Sequence, residues 1–197
     1  MEQVLYKKRY SIREFNDIIY QGIRTINYLK KGKRSGKLSD AFIKRIMLAV
    51  TEVNGCEMCS YVHTKQALEM GMKEDEIKQI LTGDVDHIPE NEVKAIMFAQ
   101  HYAESRGNPS ESSWNEIIET YGEAKALGIL GAIRMITFGN SFGIALSAFR
   151  SRLKGKTIES SSLIYEITML ASLIPLLPFN IGRAVVAKLK KEPVIEF

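Results

Sequence analysis

Apolar residues recur every three to four positions along most of this chain, and that spacing makes helices its main regular element. Phe15, Ile18, Ile19, Ile23, Ile26 and Leu29 fall on one helical stripe, and Phe42, Ile43, Ile46, Met47 and Val50 on another. No stretch of useful length alternates apolar and polar residues as a half-buried strand must. The pattern predicts a basic N-terminal helix over 11–30 and a polar loop from Lys30 to Lys37. A second helix follows, capped by Ser39 or Asp40 and stopped at Asn54-Gly55, where both residue types tolerate the left-handed turn that ends helices. Further helices are expected from Cys56 to Met70, briefly after Met72, over 90–105 behind Pro89, and from Ser110 or Ser112 through Trp114. Residues 123–153 read as one long or broken helix, and 160–177 and 181–190 as the last two. The expectation is an all-α single domain over 1–197, with its core in 38–155 and C-terminal helices in 160–190.

A chain of 197 residues can bury a sizeable core without a metal or disulfide to hold it together. Two cysteines in that length do not make a secreted disulfide scaffold. The first nine residues carry no apolar run of signal-peptide type, so a reducing, cytoplasmic setting is expected. The net charge of +4 hides an uneven distribution. Residues 1–45 hold 12 Lys/Arg against 4 Asp/Glu, residues 46–123 hold 5 against 15, and residues 124–197 hold 10 against 4. Without a nucleic-acid motif, this reads as helices of opposite charge facing solvent or each other, with no nucleic-acid partner. Met169 to Phe179 is almost wholly apolar but too short to span a bilayer. It reads as a buried helix or subunit contact, with an interfacial membrane anchor as the sharper alternative.

The chemistry concentrates in Glu52-Val53-Asn54-Gly55-Cys56-Glu57-Met58-Cys59-Ser60-Tyr61-Val62-His63. Cysteines three positions apart on a helix can meet as a dithiol or a disulfide. His63, four residues beyond Cys59, shares their face. A helix N-terminus at Cys56 offers backbone N–H groups to its thiolate. Lowering a thiol pKa by about 1.5 units from 8.5 makes it about half ionised at neutral pH. His63 would act as a base for the thiol or as a cation beside the thiolate. Glu52, the nearest upstream carboxylate, would either orient the imidazole or stand solvated on the preceding helix. Two alternatives stay open: a pair of inert buried cysteines, and an open zinc site on Cys56, Cys59 and His63 with water as fourth ligand. His87 reads as a loop residue and His101 as a mid-helix one.

The stretch from Ile46 to Thr64, with Ala67 to Met72 and Glu74 to Ile77, resembles the alkyl hydroperoxidase D (AhpD)-like, or carboxymuconolactone decarboxylase, superfamily. Phe138-Gly139-Asn140-Ser141-Phe142-Gly143 and Arg152-Leu153-Lys154-Gly155 add a looser likeness. The resemblance implies a helical bundle that assembles into homo-oligomers. It also implies a thiol-dependent peroxidase or disulfide reductase that uses no flavin, haem or metal. Cys56 and Cys59 would cycle between dithiol and disulfide, with His63 and a glutamate as proton relay. The family's relay glutamate lies twelve residues before the first cysteine, where this chain has Lys44. Either Glu52 substitutes from another turn or the relay is absent. Decarboxylating members generally lack the cysteine pair, which argues against lactone decarboxylation here.

The expected partners are therefore a peroxide or disulfide substrate and an external dithiol reductant, with no cofactor. Thioredoxin-like precedent makes Cys56 the attacking thiol, whereas the resemblance leaves room for Cys59. A non-enzymatic redox-sensing oligomer and a zinc-dependent hydrolase or lyase are the competing readings.

Overall fold

The computed structural model describes residues 8–84, 86–156 and 161–197. The first seven residues, Val85 in the loop of His87, and the expected start of the C-terminal helices at 160 lie outside that set. Every regular element among the described residues is a helix. They are α1 (Ile12–Arg34), α2 (Asp40–Asn54), α3 (Glu57–Glu69), α4 (Glu74–Ile80), α5 (Glu90–Glu104), α6 (Glu111–Tyr121), α7 (Glu123–Leu153) and α8 (Leu163–Leu189).

Local chemistry sets most of the starts. Ser11 caps α1 in a full capping box: its hydroxyl takes the Glu14 N–H while the Glu14 carboxylate takes the Ser11 N–H. Ser39 and Ser110 cap α2 and α6 through side-chain oxygens in the same way. α7 is the axis of the bundle, with fifteen of its 31 residues buried. α1 packs along it, and the two are followed by α8 on the same side.

Two apolar clusters result. The larger joins α2, α5, α6 and the first half of α7 around Ile46, Ile96, Trp114 and Leu130. The smaller joins the N-terminal part of α1, the start of α3, the second half of α7 and α8 around Phe15, Ile19, Ile144 and Met169. Both cysteines belong to the smaller one. A buried ion pair fixes the approach of α7 to α8: Arg152 places two nitrogens 2.9 Å from the two carboxylate oxygens of Glu166. The guanidinium and the Ser161 hydroxyl hold that carboxyl below its ordinary range despite burial.

Two expectations about element limits are corrected. α1 continues to Arg34 through the stretch expected to be a loop, because Gly32 lets the helix close on the Leu38 side chain. The C-terminal segment is one helix, not two. It runs unbroken through Pro175 and Pro178, and most of it is exposed. Met169 is buried, but Ile174, Leu177 and Phe179 are not, so the apolar run is not a core segment of this chain.

Candidate active site

The site begins with a forced turn. Gly55 ends α2 with φ 69° and ψ 37°, and its N–H returns to the Thr51 carbonyl. A side chain at that left-handed position would be strained, and glycine is not. The turn throws Cys56 into an extended conformation as the N-cap of α3, and its sulfur accepts the backbone N–H of Cys59 at 3.3 Å. Cys56 and Cys59 are joined as a disulfide with their Cα atoms 5.2 Å apart. The expected N-terminal placement of Cys56 is thus realised one residue ahead of the helix proper.

The pair is seated on α7. Gly143 has no side chain because none would fit: a Cβ there would lie 2.7 Å from the Cys59 sulfur and 2.9 Å from that of Cys56. One turn earlier, the Gly139 carbonyl lies 3.7 Å from the Cys59 sulfur, within reach of a weak S–H donor. The two sulfurs therefore differ. The Cys56 sulfur faces an N–H and the positive end of α3, which favours a thiolate. The Cys59 sulfur faces a carbonyl, which favours a thiol. Cys56 is 1% exposed and Cys59 8%. Replacing Gly143 with alanine is expected to cost about 1–3 kcal/mol through overpacking and to displace the sulfurs. Denaturant midpoints and the rate of disulfide reduction would both register it.

His63 lies one turn beyond Cys59 on the same helix. Its ring has an unexpected neighbour. Lys44 of α2, only 6% exposed, places its Nζ 3.0 Å from His63 Nδ1 and 2.7 Å from Gln66 Oε1. Burial, and then the Lys44 charge, push the His63 pKa down to about 4, against a smaller upward pull from Gln66. Burial likewise lowers the Lys44 pKa, opposed by the Asp40 charge. An ammonium can only donate, so Nδ1 accepts and the ring proton belongs on Nε2. A neutral His63 of this tautomer presents an N–H from its far edge and is not an imidazolium at neutral pH.

The remaining sequence candidates fall out as follows. Glu52 is half-buried near the end of α2, where its charge is the smallest of the influences on Lys8, whose pKa burial lowers. The group on His63 Nδ1 is a lysine rather than a carboxylate. Tyr61 is 72% exposed and points to solvent. His87 is exposed in its loop, and His101 sits half-buried in α5 with Nε2 unpaired. No cluster of three or more metal-ligating side chains occurs among the described residues. Sequence reasoning flagged Lys44 only as a departure from the family pattern; that position was the available signal for its place beside His63. Gln66 carried no such signal, and Gly143 was marked only as part of the looser family likeness over residues 138–143, without its place under the sulfurs.

The fold and site together define an all-helical protein with a CxxC disulfide at a helix N-terminus. Residues 23–88, the segment that holds both cysteines and His63, match the family model of the carboxymuconolactone decarboxylase family. Neither the curated proteins nor the solved structures contain a match.

Proposed function

We propose that this protein is a thiol oxidoreductase that reduces peroxides or disulfides through the Cys56–Cys59 pair. The observation that carries the reading is the asymmetric disulfide, with Cys56 as a helix N-cap and Cys59 the more exposed sulfur. In the reductive half-cycle a thiolate of an external dithiol attacks the Cys59 sulfur. The Cys56–Cys59 bond breaks and its electron pair leaves on Cys56, the sulfur better able to hold negative charge. The donor's second thiol then displaces Cys59 and departs as a disulfide. In the oxidative half-cycle a thiolate attacks the peroxide oxygen, giving an alcohol or water and a sulfenic acid. The partner cysteine displaces hydroxide, which leaves as water once protonated, and the disulfide returns.

Within this reading His63 donates its Nε2–H toward the reacting sulfur or oxygen, and Lys44 fixes the ring. The Lys44–His63 pair replaces a carboxylate relay with a donor chain, which stabilises developing negative charge. Glu52 remains a candidate for proton exchange with solvent. A reducing cytoplasm, with dithiol donors at hand, is the setting this cycle needs.

Titration of free thiols in the reduced protein tests the proposal. Peroxide is expected to remove two thiols per chain, and added dithiothreitol to sustain peroxide consumption. No thiol loss would reject the cycle. Loss of both thiols without turnover supports a second reading, redox sensing, which the near-complete burial of both sulfurs favours.

A further inference from the structure

The feature left unexplained by a thiol site is α8. It is 27 residues long, and only Glu166, Met169, Asn180 and Ala187 are buried. Its inner stripe rests on α1 and α7 and meets the cluster that holds the disulfide. Its outer stripe carries Ile164, Ile167, Ile174, Leu177, Ile181 and Val185, all exposed. The charged residues between Leu163 and Ala187 are Glu166 and Arg183, and both are engaged inward. Glu166 is bound by Arg152, and the Arg183 guanidinium lies 4.2 Å over the Tyr20 ring. The outer face is thus uncharged over about 37 Å at 1.5 Å per residue.

Both ends of this face are basic. Lys154 and Lys156 are exposed before α8, and Lys188, Lys190 and Lys191 at its end. Glu192 and Glu196 offset part of the charge at the C-terminal end. A second copy of the chain docked along α8 would set basic ends against basic ends in either the parallel or the antiparallel orientation. An anionic surface meets both ends with opposite charge. We infer that α8 docks the protein on a lipid surface bearing anionic headgroups, lying in the plane of the interface with its outer stripe among the acyl chains.

Two further observations fit an in-plane helix rather than a crossing one. α1 runs alongside α8, tied to it by Asn180 Nδ2 on Asn16 Oδ1 at 2.8 Å, and it carries exposed Arg13 and Asp17 on either side of Asn16 in the chain. Those charges cannot enter the hydrocarbon core. Pro175 and Pro178 also lack the N–H groups that would bond the carbonyls of Ala171 and Ile174. Such carbonyls need water, and the headgroup region supplies it while the bilayer centre does not.

The test is flotation of the full chain with vesicles of phosphatidylcholine alone and of phosphatidylcholine with phosphatidylglycerol. Binding to the anionic vesicles is expected, with weak binding to the neutral ones. Exchanging Lys188, Lys190 and Lys191 for glutamine is expected to lower anionic partitioning about a hundredfold, at roughly fivefold per lysine. The pair Ile174→Glu and Ile181→Glu should abolish it, with circular dichroism confirming that the helices remain. If that pair fails to fold, the lysine exchanges and the salt dependence still decide. The proposal is overturned by no binding to anionic vesicles, by equal binding to neutral ones, or by a lipid-free oligomer that dissociates when α8 is mutated. None of these outcomes depends on whether the cysteines turn over.

Discussion

Serine in place of Cys59 should abolish peroxide or disulfide reduction, by at least about a thousandfold, because a hydroxyl cannot form the covalent intermediate. Serine in place of Cys56 should also stop the cycle, but at a different point. With Cys59 the accessible sulfur, the Cys56→Ser protein is expected to stop as a mixed disulfide between Cys59 and the thiol donor. The Cys59→Ser protein should collect little adduct, since the remaining sulfur is 1% exposed. Intact mass after incubation with an oxidised dithiol distinguishes the two. An adduct that forms on Cys56→Ser and not on Cys59→Ser supports the assigned order of attack. The reverse pattern would make Cys56 the outer nucleophile, as thioredoxin-like precedent suggests. Equal, low reactivity of both variants would indicate inert buried cysteines, one of the alternatives raised by the sequence.

How much of this was legible beforehand follows from the range of each interaction. The caps at Ser39 and Ser110 are bonds across three residues, so the sequence offers them directly. The same holds for the turn at Gly55 and the CxxC pair, each of which joins groups within a few residues of one another. The equally local capping box at Ser11 and Glu14 was not singled out. α8 misled for a physical reason. Two prolines three positions apart normally end a helix, but here their missing N–H groups fall in an exposed stretch, and the inner stripe keeps the helix packed on α1 and α7. The Lys44–His63 bond joins residues nineteen apart on two helices, and its existence depends on the angle that Gly55 sets between them. No local pattern encodes that angle. The departure at Lys44 was visible, but its consequence, a donor where the family pattern has an acceptor, required the fold.

Acidification should destabilise the protein between about pH 6.5 and pH 4, with His63 as the main cause. The unfolded chain protonates this imidazole near its ordinary 6.5, whereas the folded protein resists until about 4. Between those values the unfolded state holds the extra proton, so stability rises with pH across the window and falls as the pH drops through it. A difference of that size corresponds to at most about 3 kcal/mol once the pH is below both values, lessened by solvent screening of the partly exposed ring. Chemical denaturation at pH 7 and at pH 4.5 would show most of the loss, and His63→Gln should remove the pH-dependent part. Lys44→Met separates the two causes. Burial is the larger and persists without the lysine, while the repulsion from the ammonium disappears, so the His63 pKa should rise part of the way toward 6.5 by NMR titration. A pKa unchanged by Lys44→Met would mean that the ammonium charge is not felt at the ring. The proposed role of Lys44 in holding and polarising His63 would then fail, leaving the cysteine pair to react without it.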